Sequence, residues 1–106
     1  MIHQETIEIA ENFKSEVEII KAYFKDKPVK KAYLFGSYVR GEALEDSDID
    51  ILVELDYQVK IGLLFVKMKL ELEDLLHKKV DLVSEKGFSK YIKPIVDNEK
   101  KLIYVR

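Results

Sequence analysis

The chain of 106 residues predicts an α/β (α+β) fold: a mixed sheet of about four strands with helices packed on it. Three observations predict it. Apolar residues recur at helical spacing in two long stretches. They alternate at strand spacing in others, and the two kinds of segment interleave along the chain. The hydrophobic share, 47%, suffices for one core without staples, so residues 1–106 read as a single domain.

The elements follow in order. Ile7, Ala10, Phe13, Val17, Ile20 and Phe24 mark an amphipathic helix from about Glu5 to Phe24, stopped by Pro28. Lys31 to Phe35 reads as a short strand ended by Gly36. Ser37 is placed to cap a brief helix running to about Arg40, and Gly41 to end it. Glu45-Asp46-Ser47 is a polar turn. From Asp48 to Leu55 the pattern alternates: Ile49, Ile51, Val53 and Leu55 point one way, Asp48, Asp50, Leu52 and Glu54 the other. Lys60 to His77 is a second long helix with Ile61, Leu64, Phe65, Met68, Leu72, Leu75 and Leu76 inward. Gly62 inside it costs about 1 kcal/mol, and reads either as permitting a close approach to a ligand or as marking a frayed first turn. Lys79 to Ser84 is a third strand, and Gly87 breaks the chain. A shorter helix covers Lys90 to Asn98, with Pro94 in its first turn or kinking it. Leu102 to Val105 is the final strand.

Composition narrows the function classes. There is no cysteine, so disulfides and thiolate metal sites are excluded and a reducing, cytoplasmic setting is expected. No apolar run approaches the roughly 20 residues of a membrane span. Met1 to Glu11 is acidic and amphipathic, unlike a signal peptide. A net charge of −2 counts against a standing nucleic-acid clamp. Arginine occurs only at Arg40 and Arg106. His3 and His77 read as surface residues; Tyr33, Tyr57, Tyr91 and Tyr104 as core or rim aromatics. Tyr38 reads as packing on the sheet in preference to lining a pocket.

Three features between Leu34 and Val83 carry chemistry. Asp48 and Asp50 sit two apart on a strand, so both project from one face, about 6.6 Å along the chain. Carboxylates so spaced can converge on a metal pair about 3.5–4 Å apart. Hard oxygen ligands favour Mg²⁺, with Mn²⁺ also suited. A bare Asp-x-Asp is equally a common turn, but Asp50 falls within the strand pattern, where an unpaired carboxylate is costly to bury. Next, Gly36 lets backbone approach a ligand closely, and Ser37 offers a hydroxyl at the start of the short helix. An ordinary strand-to-helix turn has the same residues. Third, Asp81 lies opposite Val80 and Leu82 on its strand. Beside the Asp48–Asp50 strand it makes a third carboxylate; on a sheet edge it is a surface acid paired with Lys79 or Lys31. Three clustered carboxylates raise one another's pKa, and a divalent cation removes that penalty.

Together these residues match a family. Gly36-Ser37, ten intervening residues, then Asp48-Ile49-Asp50 resembles the signature of the DNA polymerase β-like nucleotidyltransferase superfamily. The fuller Gly36-Ser37-x-x-Arg40-Gly41 with Ser47-Asp48-Ile49-Asp50 resembles its minimal members, the MNT domains, over nearly the whole chain. The resemblance implies the nucleotidyltransferase fold, with ATP as substrate. Gly36 and Ser37 would bind the β- and γ-phosphates, and Asp48 and Asp50 would ligate two Mg²⁺ ions. Asp81 would complete the metal site and help deprotonate the attacking hydroxyl. Arg40 would steady the phosphates, unless it is spent on Glu42 or Glu45. Free-standing MNT proteins resemble the antitoxins of HEPN–MNT toxin–antitoxin pairs, which implies transfer of AMP to a tyrosine of a HEPN RNase partner. A toxin-binding antitoxin without chemistry, and a nucleotidyltransferase for RNA ends or a small molecule, are the alternatives.

Overall fold

In the computed structural model, which describes residues 13–44 and 46–106, both predicted long helices form, the second shorter than its stripe. Helix α1 is Lys14–Phe24; the part of its predicted stripe before Phe13 lies outside the described residues, as does His3. Strand β1, Val29–Phe35, starts two residues earlier than expected, because Val29 is fully buried and pairs with Leu55. Helix α2 is Ser37–Arg40, and strand β2 is Ile49–Leu55. Helix α3 is Leu64–Leu76, followed by strand β3, Val80–Ser84, and a 3-10 turn, Glu85–Gly87. Helix α4, Lys93–Glu99, has Pro94 in its first turn, where the missing N–H costs nothing, and strand β4 is Lys101–Val105.

Two expectations for the second long helix are corrected. Gly62 precedes α3 at φ +45° with open space where a side chain would stand, so it lies in the turn leading into the helix, as the frayed-turn reading has it, and neither weakens a helix interior nor mediates a close approach. Leu75 is 47% exposed, not inward. The stripe that reaches the core runs in steps of four, Met68, Leu72 and Leu76, and leaves Leu75 at its edge.

The four strands stand in the order β3-β2-β1-β4. β1 runs antiparallel to both β2 and β4, while β2 and β3 are parallel, joined through α3. The sheet is therefore mixed. One face carries the core: Ala32 and Leu34 of β1 lie opposite Val53 and Ile51 of β2, with Val80, Leu82 and Tyr104 from the flanking strands. Ile20 and Phe24 of α1 and Met68, Leu72 and Leu76 of α3 close over them. The Tyr23 hydroxyl of α1 donates to Glu71 of α3, tying the two helices across the top of this layer. Met68 is fully buried at its centre. Met68→Ala is expected to cost about 2–5 kcal/mol of unfolding free energy, measured by urea denaturation.

The register decides which residues share the opposite face. Phe35 of β1 stands across from Asp50 of β2, and Asp50 across from Asp81 of β3. That face is covered differently: Phe88 meets the Phe35 ring edge-on at 5.7 Å, and Lys100 lies over the Tyr33 ring at 4.5 Å. The segment after β3 thus folds back across the side of the sheet that holds the acids. Among the described residues no helix is long and apolar enough to cross a membrane.

Candidate active site

The site begins with a backbone demand at Gly36. Its φ of +78° and ψ of −152° lie in a region open essentially to glycine alone. This conformation turns the chain out of β1 straight into α2, which ends four residues later at Gly41, in the left-handed conformation at φ +77°. The expected Ser37 cap is corrected here. Gly36 itself holds the capping position, Ser37 is the first helical residue, and no side chain caps the helix. Because the bend comes so early, Ser37 stands at the mouth of the turn.

The second demand on Gly36 is spatial. A Cβ built there would lie 2.0 Å from Oδ2 of Asp50 and 2.9 Å from its Cγ. The two halves of the sequence motif are therefore in van der Waals contact, glycine bend against carboxylate. Tyr38, two residues further, faces the core: it is 8% exposed, and its ring lies 4.5 Å from that of Phe13.

The acids are brought together by the parallel pairing of β2 and β3. Asp50 and Asp81 are register partners, and Asp48 lies just before β2. Asp48 and Asp81 are exposed; Asp50 is half-buried. The Asp50 carboxyl is pushed up to about 6, first by burial, then by the negative charges of Asp81 and Asp48; Arg40 opposes the rise and Glu99 adds to it. No ion pair of Asp81 with Lys79 or Lys31 is formed among the described residues. Three carboxylates in one another's field, oxygen donors throughout, suit a hard divalent cation. Among the described residues no group of three or more acidic or histidine side chains is already disposed to hold a metal ion.

Arg40 is held by two carboxylates. Its Nε donates to Glu42 at 2.9 Å, and its Nη1 donates to both oxygens of Glu99 at 3.1 Å. The Gly36 N–H also donates to Glu99. The Glu42 partnership was legible from sequence. Glu99 was not: it sits just past the predicted end of its helix, and its partners lie 59 and 63 residues away. Phe88, against Phe35 beside Asp50, escaped notice for the same reason. His77 ends α3 in the left-handed conformation at φ +55° and is exposed, away from these groups.

Comparison with known proteins agrees with this arrangement. Residues 17–103 match the nucleotidyltransferase domain model. The chain is 40% identical over 100 residues to a provisionally named protein adenylyltransferase of Methanocaldococcus jannaschii, covering 92% of this chain and 95% of that one. It is 43% identical over 77 residues to the protein adenylyltransferase MntA of Thermococcus cleftensis, covering 73% of this chain and 75% of the relative. Among solved structures, a toxin–antitoxin with AMP-PNP superposes with a TM-score of 0.72 at 28% identity, over 86% of this chain and 73% of that one. The mixed sheet with its flanking helices is thus that of a nucleotidyltransferase, and the chain is a member of the nucleotidyltransferase domain family.

Proposed function

We propose that this chain, acting as one domain, transfers AMP from ATP onto a protein hydroxyl. We take the acceptor to be a tyrosine of a HEPN-domain toxin that the transfer silences. The observation that supports this most is the contact of Gly36 with Asp50, with Asp81 in register beside it. It brings the glycine bend proposed to bind an anion next to the acids proposed as hard ligands. The relative named protein adenylyltransferase MntA and the solved toxin–antitoxin with AMP-PNP favour ATP and a protein acceptor. A net charge of −2 disfavours nucleic acid as the acceptor.

In this reading Gly36 and Ser37 seat the β- and γ-phosphates, and Arg40 steadies their charge. Asp48, Asp50 and Asp81 would hold the Mg²⁺ ions, which would supply charge neutralisation for the transfer. Phosphoryl chemistry of this kind asks the protein for positioning more than for covalent participation. Asp81 faces solvent on the edge strand of the sheet, where an acceptor hydroxyl can reach it. It is assigned to accept the proton as the hydroxyl attacks the α-phosphorus and pyrophosphate leaves.

The test is incubation with α-labelled ATP, Mg²⁺ and the HEPN partner. Label is expected on a partner tyrosine, located by mass spectrometry. No transfer to any protein, with Mg²⁺ and Mn²⁺ and all four nucleotides, would overturn the reading. Asp48→Asn with Asp50→Asn separates chemistry from binding: the variant is expected to bind the toxin and fail to silence it. Full silencing by that variant would establish the antitoxin without chemistry instead.

A further inference from the structure

Glu99 occupies the place that the proposed function assigns to a phosphate. Its carboxylate accepts from the Gly36 N–H and, through both oxygens, from Nη1 of Arg40. These are two of the three groups assigned to the nucleotide's phosphates, and a carboxylate offers them what a phosphate offers, an anionic pair of acceptor oxygens. The Glu99 side chain is 17% exposed, so it is seated in the bend and not merely near it.

Its presence there is electrostatically anomalous. Glu99 adds a further negative charge to the field that already opposes ionisation of Asp50. The donors hold it in spite of that field. The element that carries it is lightly anchored: of α4, only Val96 is buried, and Lys93, Pro94, Ile95, Asp97 and Asn98 face solvent. A short helix with one apolar anchor gives way cheaply. Arg40 keeps a second partner, Glu42, at 2.9 Å, so the guanidinium stays oriented when Glu99 leaves.

We propose that Glu99 is a positioning residue that acts as a resident stand-in for the nucleotide's polyphosphate: it keeps Gly36 and Arg40 arranged for an anion and is displaced when the triphosphate binds. This rests on the assignment of the Gly36 bend to phosphate. A polyphosphate and Glu99 compete for the same donors, so the stand-in lowers apparent affinity in exchange for order. A seat filled by Glu99 about nine-tenths of the time weakens the incoming phosphate about tenfold.

The experiment titrates the full chain and its Glu99→Gln variant with inorganic tripolyphosphate and with Mg²⁺–AMP-PNP. Glu99→Gln keeps the shape and an acceptor oxygen but removes the charge. It is expected to bind both probes about tenfold more tightly, and to lower KM for ATP more than it changes kcat. A purely structural brace gives the opposite sign, with affinity falling as the bend loosens. On the unaltered protein, the carboxyl carbon signal of Glu99 and the Gly36 amide are expected to shift together as tripolyphosphate is added. Equal or weaker binding by Glu99→Gln overturns the proposal. So does a Glu99 signal that stays fixed while the phosphate binds. In both cases the nucleotide reading survives, since binding itself persists. Absence of Mg²⁺–AMP-PNP binding by both proteins removes the two readings together.

Discussion

Asp50→Asn is expected to abolish nucleotidyl transfer while making the nucleotide-free protein more stable. The two effects share one cause. The Asp50 carboxyl is pushed up to about 6 by burial and by the charges of Asp81 and Asp48, so its ionised form is held at a cost. Asparagine keeps the shape and drops the charge. The melting temperature should rise by about 4–8 °C for each kcal/mol of repulsion relieved. Transfer should fall roughly a thousandfold or more, the worth of several kcal/mol of charge stabilisation at the reacting phosphate.

The pH dependence carries the same signature. The folded-state value of about 6 stands above the ordinary 3.8, so between them the folded chain holds more proton than the unfolded one. Asp50 therefore lowers stability as pH rises from about 4 to about 6 and has no further effect above that. Denaturation of the nucleotide-free protein across that window should show this slope, and Asp50→Asn should remove it. A variant less stable than the parent at pH 7 would mean that Asp50 is held by attraction and that the cluster is not strained. Retained transfer would remove Asp50 from the site altogether.

Gly36→Ala is expected to damage fold and function at once. The backbone at φ +78° and ψ −152° is strained for any residue with a Cβ, at about 1–3 kcal/mol. In addition the new methyl would meet Oδ2 of Asp50 at 2.0 Å. The carboxylate can swing away, but only by abandoning the position that places it beside Asp81. Stability should fall by the strain, and transfer should fall much further, because a small displacement of the proposed metal ligand costs orders of magnitude. A double-mutant cycle isolates the contact. In an Asp50→Ala background, Gly36→Ala should cost less stability than in the parent, leaving only the backbone share. Strict additivity of the two would show that the glycine serves the turn alone.

How far the site was legible can be followed residue by residue. Gly36, Asp48 and Asp50 were legible because local sequence sets them: a strand period of two puts alternate side chains on one face, and a glycine between strand and helix marks a bend. Ser37 was correctly placed at that bend but misassigned as its cap, since only the observed φ and ψ show that Gly36 takes the position. Leu75 was misplaced because a helical stripe has an edge, and the partner surface decides which edge residues are covered.

The sequence by itself determined the α/β interleaving, the family and the acids proposed to carry the chemistry, because these depend on short-range periodicity and on a motif within a single stretch of chain. Only the tertiary structure decided that Asp81 is the register partner of Asp50, that Gly36 touches Asp50, and that Glu99 reaches across 63 residues to the same bend. Those facts depend on strand order and on how the last helix folds back. The alternating pattern around Asp81 sets which face it takes but not which strand lies beside it, and no local pattern around Glu99 points to the bend.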